Sequence, residues 1–212
     1  MASKAQESSS KSRSGKQAAA SAKSTEATAK GGRPSTATVL GVAAVGVVAG
    51  LAANLGRKAA VQAPSAMAGD WFEAIKAEHK ATLLLFDAMQ KTTDKNTIKR
   101  STLLMQLKHA LGKHAFMEEN VVYPALREAG SKDDADKLNH EHGYVKQYLY
   151  ELTNLEKDSP QFLPKVAEFR AAIEKHVAEE ENEIFPPMHA KLSDAKNKAI
   201  TAAANKEAFK MA

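Results

Sequence analysis

Two copies of one motif contain the residues of this chain that are best suited to chemistry. The pattern His-x-x-x-Glu-Glu-Asn-x-x-aromatic-Pro begins at His114 and again at His176. Residues four apart on a helix face the same way, so His114 and Glu118 point together, as do His176 and Glu180. Each copy therefore presents one imidazole and one carboxylate to a common point.

A Glu-His pair precedes each copy of the motif at nearly the same distance. His79 stands 35 residues before His114, and His142 stands 34 residues before His176. The duplication predicts two helix hairpins related by a pseudo-two-fold axis. Six polar residues then occupy stripes otherwise filled by Leu, Val, Ile and Phe: His79, His114, Glu118, His142, His176 and Glu180. Burying such groups is costly unless they are paired or bind a metal, so the pattern indicates a metal site.

The donor types restrict which metals this site suits. The chain has no Cys, which excludes thiolate-ligated zinc, iron–sulfur clusters and disulfides. Imidazole and carboxylate suit iron, with manganese or zinc as alternatives. Two metals bridged by both carboxylates, with an oxo or hydroxo bridge, would each have about five ligands where roughly six are preferred. The open positions would accept dioxygen, peroxide, nitric oxide or water.

The elements that must position these residues are four helices. From residue 70 onwards, four stretches have apolar residues at spacings of three and four, without strand-like alternation. Breaks fall at 92–96, 129–131 and 158–160. Such short connections predict an all-α fold, an up-down antiparallel four-helix bundle over residues 70–190. Residues 191–212, rich in Ala and Lys, are expected to form a C-terminal helix or tail.

The positive charge of the chain belongs to its first residues. Residues 1–35 hold seven Lys and Arg against two Glu, whereas residues 36–212 hold 23 basic and 23 acidic residues. The leader has almost no large apolar side chain, so we expect it to be disordered. The bundle has no net field to attract nucleic acid, and the sequence predicts no specific nucleic-acid partner.

A hydrophobic segment, residues 36–58, follows the leader. It contains most of a run of 23 uncharged residues and the spacing Gly46-x-x-x-Gly50, which favours a hydrophobic helix that anchors the protein in a membrane. A soluble segment of a cytoplasmic protein is one alternative. A signal sequence cleaved near Ala66-Met67-Ala68 is another. Residues 59–69 then form a linker.

The six residues, the repeated Glu-Glu and the aromatic-Pro endings resemble the haemerythrin-type cation-binding (HHE) domain over roughly residues 70–190. The resemblance implies a four-helix bundle around a non-haem di-iron centre. It implies terminal ligands at His79, His114, His142 and His176, and bridging ligands at Glu118 and Glu180. Members of this family carry or sense oxygen, sense iron, or handle nitric oxide or iron.

One departure from the oxygen carriers bears on function. They have a further His four residues after the third-helix ligand, where this chain has Lys146. The resemblance therefore implies two similar, accessible irons, and argues against reversible oxygen carriage. It favours a protein that binds dioxygen or a related molecule, or iron, in a sensing, scavenging or protective role. The alternatives are a di-iron peroxidase or oxidase and a metal-free, membrane-tethered interaction bundle; the sequence leaves catalysis and oligomeric state open.

The other candidate residues are expected to have surface roles. His109, His140 and His189 are expected to be solvated. Glu119 and Glu181 are expected to form a charged helix shoulder, with service as an extra ligand as the alternative. Tyr144 and Tyr148 favour packing at the rim, with an access path to the centre as the alternative.

Overall fold

The computed structural model describes residue 67 and residues 69–211, whose regular secondary structure is entirely helical. The helices are α1 (Trp71–Gln90), α2 (Thr97–Met117), α3 (Tyr123–Glu128), α4 (Lys132–Asn154), α5 (Phe162–Glu179), α6 (Phe185–Lys191) and α7 (Asp194–Met211). Two π-helical turns, Glu118–Val122 and Glu180–Ile184, join α2 to α3 and α5 to α6. The all-helical prediction is confirmed for these residues. The basic leader and the hydrophobic segment 36–58 lie outside the described residues.

The four long helices pack in a closed ring. Helix α1 contacts α2 and α5, while α4 contacts α5 and α2. The connections at 91–96 and 155–161 are short, so consecutive helices reverse direction. Asp70 caps the start of helix α1, and its side chain accepts hydrogen bonds from the backbone N–H groups of Phe72 and Glu73.

Two apolar clusters fill the ring, one towards each end. One cluster contains Trp71, Tyr123 and Phe185, and the other contains Phe86 and Phe169. In α1, α2 and α4, a buried histidine separates the residues of one cluster from those of the other. In α5, His176 follows Ile173 of one cluster, and the other cluster resumes at Ile184, beyond the end of the helix. The polar residues therefore lie in a layer between two apolar layers.

Each half of the bundle contains a widened helical turn directly after the motif glutamate. The backbone N–H of Tyr123 donates to the carbonyl of Glu118, five residues earlier, and Phe185 does the same to Glu180. A π-helical turn holds more residues than an α-helical turn, and such turns occur frequently at functional sites. The widened turn brings Tyr123 onto the face occupied by Glu118.

The Asn and Pro of the repeated motif explain why the turn widens in both halves. The side-chain amide of Asn120 donates to the carbonyl of Phe116 at 2.7 Å, and Asn182 donates to Ala178 at 2.8 Å. The prolines in the first turns of α3 and α6 have no N–H and cannot continue the ordinary i to i−4 pattern. The motif thus encodes a local backbone shape as well as two candidate ligands.

Helix α7 packs against α1, α2 and the first π-helical turn. The indole Nε1 of Trp71 donates to Asn197 at 2.9 Å, and its backbone N–H donates to Thr201 at 2.9 Å. Ile200 and Ala204 are buried against the bundle. Among the helices of residues 69–211, none combines the length and the hydropathy that crossing a bilayer requires.

Candidate metal centre

The structure brings the six predicted residues together in the middle layer of the bundle. Each long helix contributes one histidine, and each π-helical turn begins with one of the two glutamates. Their ligand atoms form two groups that share a carboxylate, with the atoms of each group within 4.8 Å of one another. One group is His79, His114, Glu118 and Glu180; the other is Glu118, His142 and His176. All six residues are buried.

The two carboxylates lie between the two pairs of imidazoles. Glu118 Oε2 is 3.1 Å from His114 Nε2 and 3.4 Å from His142 Nε2. Glu180 Oε2 is 3.3 Å from His79 Nε2, and Glu180 Oε1 is 3.4 Å from His176 Nε2. Each glutamate therefore faces one histidine from each half of the chain, as a bridging carboxylate would.

Three buried atoms of this centre have no hydrogen-bond partner among the described residues. They are Glu118 Oε1, Glu180 Oε2 and His176 Nε2. A buried polar atom without a partner costs about 1–3 kcal/mol, and a charged atom costs more. Divalent cations bound between these residues would give such atoms a partner. The donor set thus fits metal binding.

Four further glutamates orient the histidines from outside. The pairs are His79 Nδ1–Glu181 (2.8 Å), His114 Nδ1–Glu78 (3.0 Å), His142 Nδ1–Glu119 (3.1 Å) and His176 Nδ1–Glu141 (2.8 Å). A carboxylate that accepts from Nδ1–H leaves Nε2 free to bind a metal and fixes the ring orientation. The expectation of a charged helix shoulder is wrong for Glu119 and Glu181, because both are hydrogen-bonded to candidate ligands.

Two lysines support these outer carboxylates. Lys113 Nζ is 2.7 Å from Glu78, and the two side chains are 8% and 10% exposed. Lys146 Nζ, at the position of the additional histidine of oxygen carriers, is 2.9 Å from Glu119 Oε1 and its side chain is 64% exposed. Lys146 therefore acts on His142 only through Glu119.

Tyr123 is a participant that the sequence analysis missed. Its hydroxyl donates to Glu180 Oε1 at 2.7 Å and lies 3.2 Å from Glu118 Oε2 and 3.0 Å from His142 Nε2. The corresponding residue in the second half is Phe185, which has no hydroxyl. The two halves of the centre are therefore unequal, contrary to the expectation of two similar environments. The Tyr–Phe difference between the motif copies was the signal available in the sequence.

The pKa values of the side chains in this layer are shifted by burial and by contacts between imidazoles and carboxylates. Burial favours the neutral form of His114, yet the carboxylates of Glu118 and Glu78 raise its pKa well above its usual value. Burial likewise opposes ionisation of Glu118, but His114 and His142 hold its pKa well below its usual value. Burial, Glu118 and Glu180 together raise the pKa of Tyr123, which stays a protonated donor. Metal binding must therefore displace protons from the imidazoles of His114 and His142.

The metal-free protein is expected to lose stability as the pH rises above neutrality. Although burial opposes it, contacts with Glu118 and Glu119 raise the pKa of His142 from 6.5 to about 9. The folded state then holds this proton more tightly than the unfolded state does. The stabilisation is complete below pH 6.5 and is lost as the pH rises through about 9. Thermal unfolding of chelator-treated protein across this interval measures the effect, and a Tm that rises over it would contradict the assignment.

Removing the hydroxyl of Tyr123 is expected to destabilise the metal-free protein. Tyr123→Phe leaves Glu180 Oε1 without its donor at 2.7 Å in a fully buried position. A buried acceptor that loses its partner costs about 1–3 kcal/mol in the free energy of unfolding. Urea denaturation measures the loss. Lys146→Ala is the control, because an exposed pair of this kind contributes about 0–1 kcal/mol, and equal losses for the two variants would contradict the role given to Tyr123.

The remaining histidines differ from one another. His109 and His140 are exposed, as expected. The expectation is wrong for His189, which is half-buried and lies 2.6 Å from the carboxylate of Asp70. His189 therefore contributes to the contact between α6 and the start of α1, away from the metal-ligand layer.

The comparison with known families agrees with this geometry. The profile of the Hemerythrin HHE cation binding domain matches residues 71–187, which is more than half of the chain. The chain therefore belongs to the haemerythrin HHE cation-binding domain family. The matched range contains all six candidate ligands and the four outer glutamates.

Individual relatives show how far the likeness extends. An uncharacterised haemerythrin-like protein of Schizosaccharomyces pombe is 31% identical over 126 residues, covering 58% of this chain and 61% of that protein. A DNA nickase of Nostoc sp. is 26% identical over 121 residues, covering 57% of this chain and 34% of the nickase. This chain thus spans less than two thirds of either relative.

A solved structure shares the fold. It is a haemerythrin HHE cation-binding domain-containing protein from Mycobacterium kansasii, with a TM-score of 0.59 and 24% identity. The match covers 67% of this chain and 86% of that chain.

Proposed function

We propose that this protein holds two iron ions in the middle layer of its bundle and binds dioxygen, or a related small molecule such as peroxide or nitric oxide. A role in sensing, scavenging or protection follows, and iron itself is an alternative ligand. The observation that carries the proposal is the pair of overlapping ligand groups, which share the buried carboxylate of Glu118 and leave three buried atoms without a hydrogen-bond partner. Manganese or zinc would fit the same donors.

The residues have separate roles in this proposal. His79 and His114 would hold one ion, and His142 and His176 the other, with Glu118 and Glu180 between them. When bound, a redox-active pair with open positions supplies electrons to a small oxidising ligand. The protein fixes the imidazoles through the outer glutamates and holds a proton at the hydroxyl of Tyr123.

The surroundings of the histidines leave little room for a ligand. All four candidate histidines line an internal cavity of about 10 Å³, together with Thr82, Leu111, Ala115, Val145, Ile173 and Val177. That volume is close to the minimum needed for one water molecule. A diatomic molecule is therefore the size of ligand that this side of the centre favours.

An enzymatic role is the second candidate, and Tyr123 is the observation that favours it. Its protonated hydroxyl contacts both central carboxylates, so it would donate a hydrogen bond to a reduced oxygen species formed there. A di-iron peroxidase or oxidase would use the same ligands as a binding protein. The DNA-directed activity of the Nostoc relative is outside the proposal, since the match covers 34% of that protein.

Metal analysis of the full chain tests the proposal. Chelator-treated protein is reloaded anaerobically with ferrous, manganous or zinc ion, and bound metal is counted after gel filtration. We expect two ions per chain for the wild type, and loss of binding in the double variant His114→Ala/His176→Ala. The matched control is His109→Ala/His140→Ala, which changes two exposed histidines. Fewer than one ion per wild-type chain, or no loss in the double variant, would leave only the metal-free interaction bundle.

The reaction with hydrogen peroxide then distinguishes a binding protein from an enzyme. The iron-loaded protein is mixed with peroxide and an excess of reductant. If the absorption of the iron centre bleaches and the reaction stops after one equivalent of peroxide, the protein is a binding protein. Sustained consumption of peroxide indicates a peroxidase.

We also propose that residues 36–58 associate with a membrane. The full chain is then expected in the membrane fraction, and a variant that lacks this segment in the soluble fraction.

A further inference from the structure

A surface cavity opens between α4 and α5, directly outside the candidate metal centre. Its volume is about 260 Å³. It is lined by Glu141, Tyr144, Val145, Tyr148, Phe169, Ala172, Lys175 and His176. The rings of Tyr148 and Phe169 stack with centroids 5.0 Å apart, which gives the cavity a firm aromatic wall.

This surface cavity reaches the small internal cavity at two residues. Val145 and His176 line both of them. His176 Nε2 is also one of the three unpartnered buried atoms. The surface cavity therefore reaches the candidate ligand His176 directly, and Val145 is the other residue that stands between the two cavities.

The pseudo-symmetric place in the other half is built differently. Between α1 and α2, the equivalents of Glu141 and Lys175 are Glu78 and Lys113, which form an ion pair at 2.7 Å with only 10% and 8% of their side chains exposed. Lys175 instead has a side chain that is 73% exposed, and Glu141 faces the cavity. The two halves thus differ in the groups that would have to move for a ligand to pass.

We infer that the α4–α5 cavity is the route by which an uncharged diatomic molecule, such as dioxygen or nitric oxide, reaches the metal centre, and that Val145 determines its access. This inference rests on the proposed function. Apart from His176 and its partner Glu141, the residues at the inner end are apolar: Val145 lines both cavities, Phe169 the outer one and Ile173 the inner one. An anion would lose its hydration there at a large cost, whereas an uncharged diatomic molecule loses little.

A second surface cavity, between α1 and α5, is the competing route. Its volume is about 350 Å³, and it shares His79 and Val177 with the internal cavity. The α4–α5 cavity has two charged lining residues, Glu141 and Lys175, whereas this second cavity has four: Lys76, Lys80, Asp87 and Glu181. These charges suit a hydrated ion better than an apolar molecule, so this route serves as the internal control.

Two readouts on the full chain test the route. The first uses metal-free protein with labelled methyl groups, in which dissolved dioxygen enhances the relaxation of nearby methyls. We expect a strong effect at Val145 and Ile173 in the wild type, and a lost effect at Ile173 in Val145→Phe. The second uses iron-loaded protein, in which stopped-flow absorption follows oxidation of the reduced centre by dioxygen. We expect Val145→Phe to slow it about tenfold or more, and Val145→Ala to accelerate it.

Val177→Phe is the matched control, since it places the same bulk at the competing wall. We expect this variant to change the oxidation rate by less than about twofold. Unchanged behaviour of Val145→Phe in both readouts, or slowing by Val177→Phe instead, would overturn the inference. The relaxation measurement needs no metal. Absent metal binding would therefore contradict the proposed function, whereas an unchanged relaxation effect in Val145→Phe would contradict this route. Circular dichroism confirms that each variant is folded, and Val145→Ala keeps the test decisive if Val145→Phe does not fold.

Discussion

Metal binding is expected to disappear when Glu118 and Glu180 are both replaced by Gln. Both carboxylates are fully buried, and each lies between one imidazole of each pair. Glutamine keeps the size of the side chain but removes the negative charges that two divalent cations require. We therefore expect bound metal to fall from two ions per chain to almost none, while the helical content is retained. Metal analysis after anaerobic reloading measures the loss.

The matched control for this prediction lies one residue further along each π-helical turn. Glu119→Gln/Glu181→Gln makes the same chemical change in carboxylates that accept from Nδ1 of His142 and His79. Loss of such a supporting carboxylate typically costs 10- to 100-fold in metal affinity without abolishing binding. If the two double variants bound metal equally well, the bridging role of Glu118 and Glu180 would be contradicted.

The largest expected loss of stability comes from Trp71→Ala. Trp71 is 1% exposed, packs edge-on against Phe185 with ring centroids 5.5 Å apart, and donates its indole N–H to Asn197. The substitution leaves a large cavity and removes contacts that hold α7 to the bundle. We expect the free energy of unfolding of the metal-free protein to fall by about 3–5 kcal/mol.

Urea denaturation followed by circular dichroism measures this loss, because the variant no longer contains the single tryptophan. The control is Ile98→Ala, a large apolar residue that is 83% exposed on α2. Exposed substitutions of this kind usually change the free energy of unfolding by less than about 0.5 kcal/mol. A loss below about 1 kcal/mol for Trp71→Ala would show that α7 and the start of α1 are not packed as described.

The six candidate ligands were predictable from the sequence because two independent patterns agreed. Apolar residues recur about every 3.6 positions along a helix that packs on a core. A polar residue at one of these apolar positions is therefore easy to recognise in the sequence. Duplication of the motif then linked residues far apart in the chain, such as His79 and His142. The structure places all six in the middle layer, with the two carboxylates between the two pairs of imidazoles.

The same period explains what was missed. A regular helix places Glu119 and Glu181 off the apolar stripe, which led to the expectation of a charged shoulder. The widened turns at Glu118–Val122 and Glu180–Ile184 break that regularity, and partners on neighbouring helices decide the outcome. The contacts of Tyr123 depend on the same widened turn. A sequence pattern read with one fixed period cannot show either effect.

The packing of α7 could not be predicted from its own composition. Its sequence is dominated by Ala and Lys and has no clear apolar stripe, so a helix and a tail were both reasonable expectations. The decisive contacts come from Trp71, more than 120 residues earlier in the chain. His189 is a similar case, because its partner Asp70 belongs to the cap of α1.

The proposed function requires two metal ions between the paired histidines of the bundle. Anaerobic titration of the metal-free full chain with ferrous ion, followed by an absorption spectrum after air is admitted, tests it most directly. We predict a break at two ions per chain, and a near-ultraviolet charge-transfer band of a bridged ferric pair once air is present. A break at one ion, or no saturable binding at all, would contradict the account.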